Sequence, residues 1–274
     1  MSARYVRVRS SAGQLYYGLL LPDRRVQVLD AAPWRGGQAT NRELAAEDYR
    51  LLSPCAPSKV IAVGRNYVDH AAELGNEVPK SPLLFMKPPT AVTADGAPIE
   101  YPPESERVDY EGELALVIGD RTRRCSPEDA ASKIWGYTIA NDVTARDLQR
   151  AESQWTRAKG FDSFCPLGPW IVREIPAGAS LQTFLNDETT PVQADSIDSM
   201  VFGPEELVAY ISQTMTLLPG DVILTGTPKG VGPVRMGDRI RIEIEGIGAL
   251  ENTVRPIPNA VPTSTTATPA TPVV

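Results

Sequence analysis

Apolar and polar positions divide the chain into short runs. Val6-Arg7-Val8-Arg9, Leu15 to Leu21 and Arg25 to Leu29 have the length and branched-residue content of strands, with turns at Gly13 and Pro22-Asp23. The stretch from Arg42 to Leu52 reads as a short helix. These segments predict a small antiparallel N-terminal domain over residues 1–57, ending in the Pro-rich run Ser53-Pro54-Cys55-Ala56-Pro57.

From Lys59 onward the pattern changes. Val60-Ile61-Ala62-Val63 reads as a buried strand ending at Gly64, with a short helix through His70 after it. Tyr110 to Ile118 and Ile134 to Ala140 are further strands. Ser126 followed by Pro127 marks a capped helix start. Val143 to Arg150 predicts a short helix, and Gly203-Pro204 opens an amphipathic one running to Leu217. Asp221 to Leu224 is again a strand. Arg239 to Glu245 and Ala249 to Val254 form a hairpin around Gly246-Ile247-Gly248. Strands dominate and helices are short and scattered. The expected class is therefore α+β, a mixed β-rich fold over residues 58–256, and not a doubly wound one. Residues 257–274 are rich in Pro, Thr and Ala without charge and predict a disordered tail.

Within the strand from Tyr110, alternation places Glu111, Glu113, Ala115 and Val117 on one face and Leu114, Leu116 and Ile118 on the other. A strand apolar on both faces is expected to be central. Two carboxylates on a buried face repel each other and lose hydration, and a divalent cation removes both costs. The alternative is an edge strand with solvated glutamates. Asp142 ends the next apolar strand. It reads as a third oxygen ligand, which would favour Mg²⁺ or Mn²⁺, or as a helix cap.

His70 is the sole histidine of the 274 residues, and Glu73 lies one helical turn after it. The pair reads as a general-base dyad or as a surface ion pair. It adjoins the polar turn Gly64-Arg65-Asn66-Tyr67. Lys159, in apolar and aromatic company, could neutralise an enolate or snorkel to solvent. Thr225 to Gly232 is Gly-rich without the spacing of a nucleotide loop, so it reads as a carboxylate-binding loop or a plain turn. No Gly-x-Ser-x-Gly elbow is present.

Composition narrows the partners. With 42% hydrophobic and 22% charged residues, the chain has the balance of a globular protein. A net charge of 27 − 34 = −7 disfavours nucleic acid. No run is long enough to span a membrane and no apolar leader is visible, while three unpatterned cysteines fit reduced thiols; the reading is a cytoplasmic protein.

Six stretches in order carry a resemblance: Gly64-Arg65-Asn66-Tyr67 with His70-Ala71-Ala72-Glu73, Pro82 to Pro88, Asp109 to Leu114, Asn141 to Gln149, Ala158 to Asp162, and Leu224 to Pro228. Together they resemble the fumarylacetoacetate hydrolase family. The resemblance implies a homodimer with a mixed β-rich catalytic fold, one Mg²⁺ or Mn²⁺, and a small 2-keto acid as substrate. It implies Glu111, Glu113 and Asp142 as metal ligands and His70 and Glu73 as the catalytic dyad on a lid segment. It also implies Lys159, Arg146, Gln149 and Thr227 around the keto-acid end; Arg65, in the adjoining polar turn, is expected to bind substrate as well. The implied reaction is hydrolysis of the C–C bond of an acylpyruvate-type 2,4-diketo acid. Alternatives are decarboxylation or keto-enol tautomerisation of oxaloacetate, or isomerisation and decarboxylation of products of aromatic catabolism. A metal-stabilised binding protein without turnover is the non-enzymatic rival, and the intact His70–Glu73 pair argues against it.

Overall fold

A computed structural model describes residues 2–73, 75 and 77–257. Its framework is a twelve-stranded sheet. The path runs Ala39–Leu44, Val26–Leu29, Leu15–Leu20, Arg4–Ser10, Cys165–Val172, Ile134–Asn141, Gly112–Ile118, Val222–Leu224, Val60–Gly64, Leu83–Lys87. Tyr49–Leu52 and Val92–Thr93 pair off this path. A second sheet of five strands contains Ser180–Leu185 and the hairpin of Arg239–Ile244 with Gly248–Pro256. Three short strands, Thr144–Ala145, Val108–Tyr110 and Gly232–Pro233, form a small third sheet. Helices are few and short, so the mixed β-rich α+β class holds.

Gly112–Ile118 is the central strand, flanked by Ile134–Asn141 and Val222–Leu224, and every residue in it is buried. Its two faces feed different cores. Leu114, Leu116 and Ile118 pack in the larger cluster with Ile240, Ile242 and Ile244 of the second sheet. Ala115 and Val117 pack with Val222, Leu224, Cys165 and Leu167. A strand covered on both sides needs the near-continuous apolar run its sequence shows.

Register gathers several strand ends at one place. Gly112 starts its strand opposite Asn141, where the neighbouring strand finishes. Ala115 lies opposite Leu224, the last residue of Val222–Leu224, which runs parallel to Val60–Gly64. Glu111, Asp142, Thr225 and Arg65 therefore all leave the sheet at the same end. Side chains converging from adjacent strand ends can form a concave site without any long insertion.

The structure corrects four sequence expectations. Arg42 to Leu52 is not a helix: Ala39–Leu44 pairs with Val26–Leu29, Tyr49–Leu52 pairs with Arg4–Ser10, and only Ala46–Asp48 keeps a single 3₁₀ turn. Tertiary pairing here outweighs the local helix preference of Leu44-Ala45-Ala46-Glu47. The expected strand from Tyr110 is two strands broken at Glu111. The helix expected over 143–150 is Arg146–Ala151, because Thr144 and Ala145 pair with Asp109 and Val108. The amphipathic helix stops at Thr214, since Leu217 exchanges backbone hydrogen bonds with Thr122. Ser126 does cap its helix, its hydroxyl accepting from the Asp129 N–H. The tail expectation falls on residues outside those described, apart from Ile257. No helix among the described residues is long and apolar enough to cross a membrane.

Asp221 ties together the starts of the two parallel strands. Fully buried, it accepts from the Ser58 N–H at 3.1 Å, the Ser58 hydroxyl at 2.6 Å and the Leu218 N–H at 2.8 Å, and also pairs with Lys59. Asp221→Ala strands these donors, and we expect it to lower unfolding stability by about 3 kcal/mol. A urea denaturation midpoint indistinguishable from the parent would contradict this.

Candidate functional site

The break at Glu111 is built by side chains. The Glu111 N–H donates to Asn141 Oδ1 at 2.9 Å, and its carbonyl accepts from the Asp142 N–H at 2.8 Å. The Gly112 N–H is taken by Gln193 Oε1 at 3.0 Å and its carbonyl by the Thr227 hydroxyl at 2.9 Å. Glycine is required here, because a Cβ would lie 2.4 Å from Thr183 Oγ1. Glu111 and Glu113 are thereby held beside Asp142, with one oxygen from each of the three carboxylates within 4.8 Å of the others.

All three carboxylates are buried, and their partners differ. Glu111 accepts from Arg146 at 2.5 Å and Lys159 at 2.9 Å. Asp142 accepts from Lys159 at 2.5 Å and from Lys87. Glu113 accepts only the Gly226 N–H, at 2.7 Å, among the described residues. Burial alone would raise Glu111, but the Lys159 and Arg146 charges outweigh it and hold its carboxyl below the usual range. For Glu113, burial and the Asp142 and Glu111 charges all push the pKa well up. Burial would lower Lys159, yet Asp142 and Glu111 raise it.

These charges test the fit of a cation. Asp109, Glu111, Glu113 and Asp142 are buried carboxylates, and Lys87, Arg146 and Lys159 are buried cations. Arg107 also pairs with Asp109, and every carboxylate of the cluster except Glu113 has a cationic partner among the described residues. An oxygen-only donor set with an uncompensated carboxylate fits a hard divalent ion such as Mg²⁺ or Mn²⁺.

The ten residues singled out from sequence, Arg65, His70, Glu73, Glu111, Glu113, Asp142, Arg146, Gln149, Lys159 and Thr227, all line one cavity of about 350 Å³. His70 and Glu73 sit on the helix Val68–Glu73, with Nδ1 3.3 Å from Glu73 Oε2. The Gly230 N–H donates to the Glu73 carboxylate at 3.0 and 3.2 Å. Lys159 is 2% exposed, so it does not snorkel. The Asp142 carboxylate takes lysines and caps no helix. Arg146 donates to Asp109, Glu111 and, at 2.7 Å, Gln149 Oε1, which leaves the Gln149 amide hydrogens free to face the cavity. The Thr227 proton is committed to the Gly112 carbonyl.

Two supports escaped the sequence reading. Lys87 ends the strand Leu83–Lys87 fully buried, with Nζ on Asp142 and 3.1 Å from the Val143 carbonyl. Asp109, held by Arg107 at 2.8 Å, anchors Arg146 at 2.8 Å. Both lie in the stretches that carry the resemblance. The available signal was a lysine closing an apolar strand, where an unpaired ammonium would be costly.

Known proteins share this arrangement of chain. Residues 59–255 match the model of the fumarylacetoacetate (FAA) hydrolase C-terminal family, and residues 3–54 match that of the Rv2993c-like N-terminal family. The mitochondrial oxaloacetate tautomerase fahd2 of Xenopus laevis is 42% identical, over 77% of this chain and 71% of its own. A 5-carboxymethyl-2-hydroxymuconate delta-isomerase structure from Mycobacterium smegmatis is 43% identical with a TM-score of 0.86, covering 93% of this chain and all of the other. The fumarylpyruvate hydrolase of Pseudomonas aeruginosa, solved with Mn²⁺ and pyruvate, is 32% identical with a TM-score of 0.69, covering 76% of this chain and 92% of the other.

Glu113 supplies a test of the cation site. In the metal-free protein its raised pKa means stability is fully present below the unfolded carboxyl pKa and is lost as pH rises through the folded one. Glu113→Gln removes that loss, so the metal-free variant should melt roughly 2–6 °C higher than the parent at neutral pH. The parent should gain further stability as Mn²⁺ or Mg²⁺ is added, and the variant should not. A variant that keeps the parent's metal-dependent shift would disprove the assignment.

Proposed function

This chain belongs to the fumarylacetoacetate hydrolase family, and on that premise we propose that it is a divalent-metal-dependent enzyme that hydrolyses the C–C bond of an acylpyruvate-type 2,4-diketo acid. The observation that carries the proposal is one cavity holding both an acid–base pair and a buried three-carboxylate cluster. Glu111, Glu113 and Asp142 would hold the ion. When bound, Mg²⁺ or Mn²⁺ acts as a Lewis acid toward the carboxylate and keto oxygens of the substrate.

The protein groups do the rest. Gln149 offers its amide to the keto-acid end, beside Arg146. Glu73 fixes the His70 ring by accepting at Nδ1, which leaves Nε2 free to take a proton from water. The hydroxide so formed adds to the distal carbonyl. Collapse of the adduct breaks the bond between that carbon and the central methylene, releasing an acid. The electron pair passes into the pyruvate portion as an enolate, which the Lys159 ammonium stabilises until a proton returns to carbon. The Mn²⁺–pyruvate complex of the fumarylpyruvate hydrolase supports this reading.

A second reading has its own support. The oxaloacetate tautomerase relatives match across most of the chain, and a His–Glu pair can also move a proton at the methylene of oxaloacetate. Product analysis separates the two. With Mg²⁺, acetylpyruvate and fumarylpyruvate should yield pyruvate and the corresponding acid. Enol–keto exchange of oxaloacetate faster than any cleavage would transfer the proposal to tautomerisation. The proposal includes a homodimer, for which gel filtration should show twice the chain mass.

His70→Ala should cut kcat by about 10²–10⁴-fold while Mn²⁺ binding by calorimetry is retained. Near-parent turnover in that variant would remove His70 from the chemistry.

A further inference from the structure

A second cavity, of about 890 Å³, lies at the seam between the two family-matched parts of the chain. Leu20, Tyr49 and Leu51 wall it from the N-terminal part, and Ala97, Pro98 and Trp170 from the catalytic part. It shares no lining residue with the cavity that holds the carboxylate cluster. The chemistry proposed above makes no use of it.

The apolar wall is the open end of a small core. Val6, Val8, Val26, Val28 and Leu44 are buried together, while Leu20, Tyr49, Leu51 and Trp170 pack against them only half-buried. A hydrocarbon body displaces water from such a surface favourably. The facing wall is fixed. The Asn252 amide donates to the Ala94 and Ala97 carbonyls at 2.9 and 2.8 Å, and the Gly96 N–H donates to the Glu251 carbonyl at 2.8 Å. A groove held in this way is formed before any occupant arrives.

The rim is cationic. Arg4 is in step with Val6 and Val8 along Arg4–Ser10, so it projects on the core face, where its guanidinium lies 4.3 Å from the centre of the Trp170 ring. The ring holds it in place and supplies no formal countercharge. Arg24 sits in a left-handed turn, φ 67°, whose carbonyl accepts from the Tyr49 hydroxyl at 2.6 Å. Among the described residues neither side chain has a salt bridge or a hydrogen bond. The adjacent Arg25 shows the contrast, since it is paired with both Asp23 and Glu43. Arg50 borders the cavity too, but it alternates with Tyr49 and Leu51 on its strand and projects from the other face. The lining holds one carboxylate, Asp95, which accepts the Glu251 N–H at 2.8 Å and whose pKa burial pushes up. The wider charge agrees. Residues 1–57 carry eight arginines against five acidic residues, in a chain whose net charge is −7.

We propose that this seam binds a small amphiphilic carboxylate, with its hydrocarbon body on Leu20, Leu51 and Trp170 and its carboxylate paired to Arg4 and Arg24. The site draws on both parts of the chain, so an occupant holds the N-terminal part against the catalytic one. The proposal is independent of the reaction proposed above.

The test is calorimetric titration of the metal-free, full-length protein with octanoate, 1-octanol and octylammonium, which share a chain and differ in charge. Octanoate should bind at one site per chain, about 10-fold more tightly than 1-octanol, and octylammonium more weakly than either. Arg24→Gln and Arg4→Gln should each cut octanoate affinity about 3–10-fold and leave that of 1-octanol unchanged. If Arg4→Gln does not fold, the exposed Arg24 decides alone. Arg25→Gln, which removes a neighbouring charge that is already paired, and Arg150→Gln, in the other cavity, should change neither affinity. Absence of octanoate binding, equal affinity for octanoate and 1-octanol, or an octanoate affinity that falls in Arg150→Gln and not in Arg24→Gln would overturn the proposal.

Discussion

The structure depends on placing four carboxylates and three cations in one buried volume. Asp109, Glu111, Glu113 and Asp142 face Lys87, Arg146 and Lys159 out of contact with bulk water. Each charge alone would be costly to bury, and removing any partner leaves another uncompensated. The bonds are shared rather than paired off. Lys159 bridges Glu111 and Asp142, and Arg146 bridges Asp109 and Glu111. A cluster linked in this way fixes the geometry of every member, which is what a cation site with a defined opening requires. Glu113 is the one member with only a backbone donor and no cationic partner among the described residues.

Much of the fold can be understood as support for that cluster. The sheet supplies rigid strand ends, and two glycines allow close approach where a side chain could not fit. Gly112, between Glu111 and Glu113, lies directly against Thr183 and Gln193. Gly226, at φ 98°, brings its N–H to Glu113, where a Cβ would lie 2.7 Å from that of Asn66. Asn66 in turn holds the left-handed Arg65. The second sheet takes part directly, since Gln193 donates to the Thr227 hydroxyl at 2.8 Å. Residues remote from the chemistry thus hold the backbone that presents it.

The site was more legible in the sequence than the fold around it, for physical reasons. Carboxylates at i,i+2 in an apolar strand contradict their surroundings, and the contradiction itself marks Glu111 and Glu113. The single His70 with Glu73 one turn later is equally local. Arg42 to Leu52 shows the opposite case. Its Ala and Glu residues favour a helix, but the strands that flank it need partners, a non-local demand that no window of sequence records. The break at Glu111 escaped for the same reason, because Asn141, Gln193 and Thr227 create it from distant positions. Lys87 was visible as a residue and not as a partner of Asp142, since its role follows from a fold that brings positions 55 residues apart together.

One loop touches both the His70–Glu73 pair and the carboxylate cluster. The helix Val68–Glu73 has six residues, too few to be stable alone, so His70 is held where tertiary contacts put it. Those contacts come from the segment after Val222–Leu224. Lys229 pairs with Asp69 at 2.6 Å, and the Gly230 N–H holds Glu73. Four residues earlier the same segment gives the Gly226 N–H to Glu113, and Thr227 closes the Gly112 carbonyl. A shift of this loop would therefore move the His70–Glu73 pair and the carboxylate cluster together. Bridging both with a single backbone segment fixes their separation.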